Sequence, residues 1–330
     1  MRILGIETSC DETAVAVVED GTKILTNTVA SSVKLHQKTG GIIPEVAARE
    51  QIRMIIPVLT AATKPFQPLS KKIDALAVTV GPGLIGSLLV GVETAKTLAY
   101  VWQKPLVPVN HLQAHLYANW LEGKKPTFPA LGLVVSGGHT ELVLIKDYNQ
   151  IKWLGGTRDD AAGECFDKTA RFLHLGYPGG PAIARKAEKG SPDAYDLPRP
   201  MINQKNLDFS FAGLKTAVIN LARKEKKVNQ ADLAASIQAA IVEVLVEKTI
   251  RAAKKFPVKS ILLAGGVAAN QSLREKFQSR LKEEKIAASF FAPPPELATD
   301  NATCIASYAY FNPRPVPWSK VQANPGLRIC

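Results

Sequence analysis

The sequence predicts an α/β fold made of two similar halves, and two recurring patterns support that reading. In the first, Ile3-Leu-Gly-Ile-Glu-Thr-Ser-Cys-Asp-Glu-Thr13 leads into Ala14-Val-Ala-Val-Val18, and Leu131-Gly-Leu-Val-Val-Ser-Gly-Gly-His-Thr-Glu141 leads into Leu142-Val-Leu-Ile145. Each reads as an apolar strand, a small polar turn and a second apolar strand. A turn this tight aims several backbone N–H groups at one point, which suits an anion such as phosphate. In the second, Asp74-Ala-Leu-Ala-Val-Thr-Val80 runs into Gly81-Pro-Gly-Leu84 and a helix over 86–102. Likewise Ile261-Leu-Leu-Ala264 runs into Gly265-Gly-Val-Ala-Ala-Asn270 and a helix over 272–284. Strand, glycine turn and helix is the unit whose bare backbone and helix N-terminus approach a nucleotide. Any one of these turns is a weak signal; four of them, arranged as two matching halves, point to a duplicated design.

The remaining elements complete an alternating α/β order. Apolar spacing predicts helices over 43–62 and 232–256, the second stopped by Pro257. Phe291-Ala-Pro-Pro-Pro-Glu296 reads as a stiff loop, and 312–328, with Pro313, Pro315, Pro317 and Pro325, as irregular. At 330 residues one core is near its limit, so two domains are expected. The expected halves are 1–130, joined by about 305–330, and 131–304.

Lys and Arg number 41 against 29 Asp and Glu, a formal charge of +12. That excess favours a polyanionic partner, nucleic acid before an anionic membrane, although many charge runs are only solvated faces. Basic clusters occur at 223–227, at Arg251 with Lys254 and Lys255, and at Arg314 with Lys320, where Trp318 adds an aromatic ring. Cys10, Cys165, Cys304 and Cys330 are scattered, which opposes a disulfide framework or a cysteine zinc site and fits a reducing compartment. The start reads as a strand rather than a signal peptide. The apolar stretch 73–100 is broken by Gly81-Pro82-Gly83 and carries Glu93 and Lys96, so it does not read as a membrane span. A soluble, cytoplasmic protein is expected.

His111-Leu-Gln-Ala-His115 opens a helical pattern that runs through Trp120 to a stop at Gly123. Histidines four apart share a helix face and can hold one cation; the alternative is a half-buried pair at a helix N-terminus. Asp300, in Glu296-Leu-Ala-Thr-Asp-Asn301 before a helix over 302–310, can supply a third ligand or serve as an N-cap. Two imidazoles and one carboxylate leave coordination positions open, as in non-haem iron or catalytic zinc sites.

Here the residues carry a recognisable signature. It comprises Glu7-Thr-Ser-Cys-Asp-Glu-Thr13, Gly40-Gly-Ile-Ile-Pro-Glu-Val-Ala-Ala-Arg49, Gly81-Pro-Gly-Leu84 and His111-x-x-x-His115. Val135-Ser-Gly-Gly-His-Thr-Glu141, Asp159-Asp-Ala-Ala-Gly-Glu-Cys-Phe-Asp-Lys-Thr-Ala170 and Tyr177-Pro-Gly-Gly180 follow. Asp208-Phe-Ser-Phe-Ala-Gly-Leu-Lys-Thr216, Ala264-Gly-Gly-Val-Ala-Ala-Asn270 and Thr299-Asp-Asn301 complete it. In this order, the set resembles the TsaD/Kae/Qri family in its bacterial and mitochondrial form.

The resemblance implies the two-lobed fold of the actin, heat-shock-chaperone and sugar-kinase superfamily (ASKHA, ribonuclease-H-like and duplicated), with a nucleotide cleft between the lobes. It implies transfer of threonylcarbamoyl from threonylcarbamoyl-AMP to N6 of the adenosine beside the anticodon, in tRNAs reading codons that begin with A. It implies one divalent ion, Fe2+ or Zn2+, on His111, His115 and Asp300. Substrate contacts by the same matching are Val134, Val135, Ser136, Gly137, Gly138, Asp167, Gly180 and Asn270, with ATP or ADP as further occupants of the cleft. The implied partners are tRNA, a paralogous TsaB-like subunit, a TsaE-like small ATPase and a TsaC/Sua-type synthase supplying the adenylate, with no membrane. The chain departs from the usual pattern at Gln113 and Ala114, at Cys165, and at Ala184, where some members carry an acid that contacts ribose.

The reaction asks a weakly nucleophilic amine to attack a carbonyl, so positioning and oxyanion stabilisation are needed. Asp11 or Glu12 could take the amine's proton, the alternative being that each only shapes its turn. Two rivals remain: a nucleotide-dependent kinase or ATPase of the same superfamily, and a metalloprotease. The protease motif needs Glu directly after the first histidine, where this chain has Leu112.

Overall fold

A computed structural model describes all residues except Lys124, Glu225 and Lys226, and the side chain of Ser70. The chain divides into two compact units, Met1–Lys125 with Glu296–Cys330, and Pro126–Pro295. The chain rejoins the first unit at Glu296, earlier than the expected position near 305, because Leu297 already packs in that unit's core with Cys304 and Ile305.

The first unit begins with β1 (Arg2–Glu7), β2 (Glu12–Glu19) and β3 (Lys23–Ser31), followed by α1 (Val33–Thr39), α2 (Pro44–Thr63) and α3 (Leu69–Lys72). β4 (Ala75–Gly81), α4 (Ile85–Trp102), β5 (Leu106–Asn110) and α5 (His111–Tyr117) come next. The second unit holds β6 (Ala130–Val135), β7 (Thr140–Asp147), β8 (Gln150–Gly156), α6 (Ala162–Phe172), α7 (Gly179–Ala187) and α8 (Ala212–Lys224). It continues with α9 (Gln230–Lys255), β9 (Ser260–Ala264), α10 (Gln271–Glu283) and β10 (Ser289–Phe291). α11 (Pro295–Ala298) and α12 (Thr303–Phe311) lead back to the first unit. The sheet orders are β3-β2-β1-β4-β5 and β8-β7-β6-β9-β10, so the two units share one topology, as the sequence echo predicted. In each, the first three strands pair antiparallel and the remaining two join in parallel.

Strand periodicity explains how the first unit builds its site. Leu4, Ile6, Leu76 and Val78 face a core with Ile55 and Val58 of α2 and Val92 and Ala95 of α4. Ile3, Ala75, Ala77, Val107 and Val109 face the opposite core, with Ala114 of α5 and Ile305 and Ala306 of α12. Side chains alternate faces along a strand, so both sides of this sheet are covered. Continuing the second set to the strand ends puts Glu7, Thr79 and His111 on one face. Gly5 lies in the same row, and a Cβ there would run into Ala302 O and the Ala306 backbone. Glycine at this position lets α12 lie directly on β1 and brings Asp300 with it.

Some element bounds differ from the sequence reading. The helix from His111 ends at Tyr117 and tightens into a 3-10 turn over Ala118–Trp120, so Gly123 is not its stop. Within 312–328, Trp318–Lys320 forms a 3-10 turn and Val316 bridges Leu106. Among the basic clusters, residues 225 and 226 lie outside the described residues. None of the described helices is long and apolar enough to cross a membrane.

Gly5→Ala tests the close approach. Overpacking of this kind costs about 1–3 kcal/mol, so the urea midpoint should fall at unchanged slope. An unaltered midpoint would contradict the packing of α12 on β1.

Candidate metal centre and nucleotide turns

His111 is the first residue of α5, capped by Asn110, whose Oδ1 accepts from the Leu112 and Gln113 amides at 2.9 and 3.1 Å. One helical turn later comes His115, only 1% exposed. Their Nε2 atoms lie 3.1 Å apart, and Asp300 Oδ1 lies 3.2 Å from His115 Nε2 and 3.7 Å from His111 Nε2. Asp300 is not a helix cap. The N-cap position of α12 is Ala302, and Asn301 Oδ1 accepts from the Thr303 amide at 3.0 Å.

These spacings suit a shared cation. Ligand atoms bound about 2.0–2.2 Å from zinc in tetrahedral geometry stand roughly 3.3 Å from one another. The surroundings fix the donor atoms as well. Glu7 Oε2 lies 3.0 Å from His111 Nδ1, and Ser9 Oγ 3.3 Å from it. A proton on Nδ1 directed at Glu7 leaves Nε2 as the lone-pair donor, the arrangement by which carboxylates orient metal-bound histidines. Glu7 is itself held, accepting from Thr79 Oγ1 at 2.6 Å and from the Ser9 amide at 2.5 Å. Among the described residues, His115 Nδ1 has no such partner.

Electrostatics point the same way. Burial alone would push the Glu7 carboxyl up, but the charge of His111 and hydrogen bonds from His111 and Thr79 hold it below the usual range. Burial opposes a charge on His111, yet Glu7 and Asp300 raise its pKa to about 9. Asp11, Glu12 and Asp300 also converge, with one carboxylate oxygen of each within 4.8 Å of the others. Burial and the charges of Asp300 and Asp11 push Glu12 up to about 10. Asp11 lines a cavity of about 220 Å³ with Thr13, Ser31, Ser32 and Gln51.

In the second unit, glycines bring four backbone segments together. A Cβ on Gly163 would meet Ser136 O, one on Gly179 the backbone of Phe166 and Asp167, and one on Gly265, at φ +86°, the backbone of Val135. Buried Val134 and Val135 thus contribute main chain rather than side chains. The Ser136 amide donates to His139 O at 2.8 Å, closing the hairpin, so it is not an anion donor as the sequence suggested. Among the described residues, the Gly137 and Gly138 amides close no such bond, and a Cβ on either residue, or on Gly180, would have no heavy atom within 4 Å. Asp167 Oδ1 accepts from the Gly179 amide at 2.6 Å, and burial raises its pKa. Asn270 caps α10 through the Leu273 amide at 3.0 Å and donates to Gln238 Oε1 at 2.8 Å. One amide hydrogen remains available to a ligand.

The sequence model of the TsaD family, tRNA N6-adenosine threonylcarbamoyltransferase, matches residues 23–307. The chain belongs to this family. Relatives bearing the same description occur in Thermomicrobium roseum, 51% identical, and Syntrophomonas wolfei, 53% identical. Each alignment covers 94% of this chain and 92% of the relative. Among solved structures, HypF from T. kodakarensis superposes with a TM-score of 0.64 at 15% identity, over 94% of this chain and 47% of HypF. The (R)-2-hydroxyglutaryl-CoA dehydratase component A of Acidaminococcus fermentans gives 0.54 at 15%, over 94% and 98%. These likenesses show the fold, an α/β design whose two units share one topology. Sequence reasoning did not give Glu7, Ser9 and Thr79 a role at the metal site. The alternation Ile3, Gly5, Glu7 on one strand face was the signal available for the first of them.

A metal entering this site must displace the His111 proton. Its apparent affinity should rise close to tenfold per pH unit up to about pH 9 and level off above, with proton release on binding. Calorimetry in buffers of different ionisation enthalpy measures both. An affinity independent of pH from 7 to 9 would contradict the Glu7–His111 account.

Proposed function

We propose that the chain transfers threonylcarbamoyl from threonylcarbamoyl-AMP to N6 of the tRNA adenosine beside the anticodon, using one divalent ion, Zn2+ or Fe2+, on His111, His115 and Asp300. The observation that carries the metal part is the convergence of three donor atoms at 3.1–3.7 Å, with Glu7 behind His111. The family supports the transfer, and its relatives' names supply the group and the acceptor.

A bound ion would supply Lewis acidity towards an acyl oxygen. Glu7 keeps His111 in the tautomer that offers Nε2. In the second unit, the free Gly137 and Gly138 amides suit a phosphate, Asp167 and Gly180 the ribose, and Asn270 the nucleoside. Asp11 or Glu12 is the carboxylate proposed to accept the amine's proton. The net charge of +12 suits tRNA. A TsaB-like subunit, a TsaE-like ATPase and a TsaC/Sua-type synthase remain proposed partners, and the cytoplasm the proposed compartment. The protease reading is weak, since Leu112, where the protease base would stand, is a buried aliphatic residue.

Nucleoside mass spectrometry of tRNA incubated with the chain, its helper proteins and threonylcarbamoyl-AMP tests the proposal. His115→Ala should abolish both metal and product. Gly137→Val, whose Cβ would have no heavy atom within 4 Å, should leave folding and tRNA binding intact and cut transfer by at least about 100-fold, the scale of losing a key transition-state contact. Phosphoryl transfer to a small acceptor without tRNA, and no modified nucleoside, would favour the kinase instead.

A further inference from the structure

The helix that carries both histidines has seven residues, too few to hold its shape unaided, since isolated helices shorter than about 12 residues are marginal in water. Its N-terminal turn is tied to a distant stretch of chain. Asn110, while capping the helix through Oδ1, donates from Nδ2 to Arg328 O at 2.7 Å. Gln113, between the two histidines, donates from Nε2 to Ile329 O at 2.6 Å and accepts from Tyr308 OH of α12 at 2.7 Å. The same stretch is anchored elsewhere: Val321 and Ile329 are buried, Asn324 N donates to Val80 O at 2.6 Å, and the Gly83 amide donates to Pro325 O at 3.3 Å.

We propose that residues 321–330 form a strap that positions the metal-binding helix, with Asn110 and Gln113 as the positioning residues. Gln113 joins three parts at once: the strap, the helix bearing His111 and His115, and the helix that follows Asp300. The amide suits this place, because it accepts from Tyr308 with Oε1 and donates to Ile329 with Nε2. The strap thereby limits fraying at His111, the first residue of its helix and the ligand most exposed to it. The proposal rests on the metal reading of His111, His115 and Asp300.

The pair Asn110→Asp and Gln113→Glu isolates these donors. Each replacement keeps the shape and the accepting oxygen, so the cap on α5 and the Tyr308 bond survive, but neither carboxylate can donate to the strap. Co2+ titration at pH 8 with chelator competition reads affinity, the Co2+ d–d spectrum reads ligand geometry, and hydrogen exchange reads the strap. The double variant should bind Co2+ about 10- to 100-fold more weakly, as loss of outer-shell support does. Its d–d spectrum should be altered, and exchange should be faster over 324–329. Two added negative charges would by themselves tighten cation binding, so weakening cannot be a charge effect. Equal or tighter binding with an unchanged spectrum, or unaltered exchange, overturns the strap. Gln113→Glu alone gives the same test, with a smaller expected loss, if the double variant does not fold. No Co2+ binding by the unaltered chain would overturn the metal reading itself, and the strap with it.

Discussion

The buried pair of Glu7 and His111 is the interaction on which the first unit's chemistry depends. A carboxylate at the end of a central strand is costly to bury, by several kcal/mol without partners. Thr79, the Ser9 amide and His111 compensate it. In return it fixes which imidazole nitrogen faces His115 and Asp300. Each partner arrives through backbone order: Glu7 and Thr79 from neighbouring parallel strands in one pleat row, and His111 at the end of a third. Asp300 arrives because Gly5 lets α12 settle on the sheet. The site is thus a consequence of strand register and one missing side chain.

The same topology appears twice with different uses. In the first unit, the strand ends gather imidazole and carboxylates, which favour a cation. In the second, they gather glycines, some letting backbone segments touch and others, Gly137, Gly138 and Gly180, leaving open space beside the main chain, which suits the proposed anion. Duplication supplies two frameworks with equivalent turns, and side-chain chemistry separates their roles. This is why membership of the fold class alone does not identify a reaction, and why the histidine pair with Asp300 weighs more than the turns.

Much of this was legible in the sequence because it rests on local patterns. Continuous apolar strands, glycine turns and the four-residue histidine spacing each have a direct geometric meaning. What stayed hidden depends on tertiary placement. Asp300 could be read as a cap or a ligand until Ala302 was seen at the cap position of α12. The Ser136 amide could be read as an anion donor until it was seen to close its own hairpin. The helix from His111 looked longer because Ala118-Asn119-Trp120 continue its apolar pattern while the backbone tightens. Gln113 carried no signal at all, since its partners lie some two hundred residues away.

The central claim is that Nε2 of His111 and of His115 and a carboxylate oxygen of Asp300 bind one ion. X-ray absorption at the edge of the bound metal tests this most directly. The account predicts two imidazole scatterers with nitrogen or oxygen neighbours only, and loss of one imidazole contribution, or of the ion, in His111→Ala. A sulfur neighbour, or a spectrum unchanged by that substitution, would contradict it.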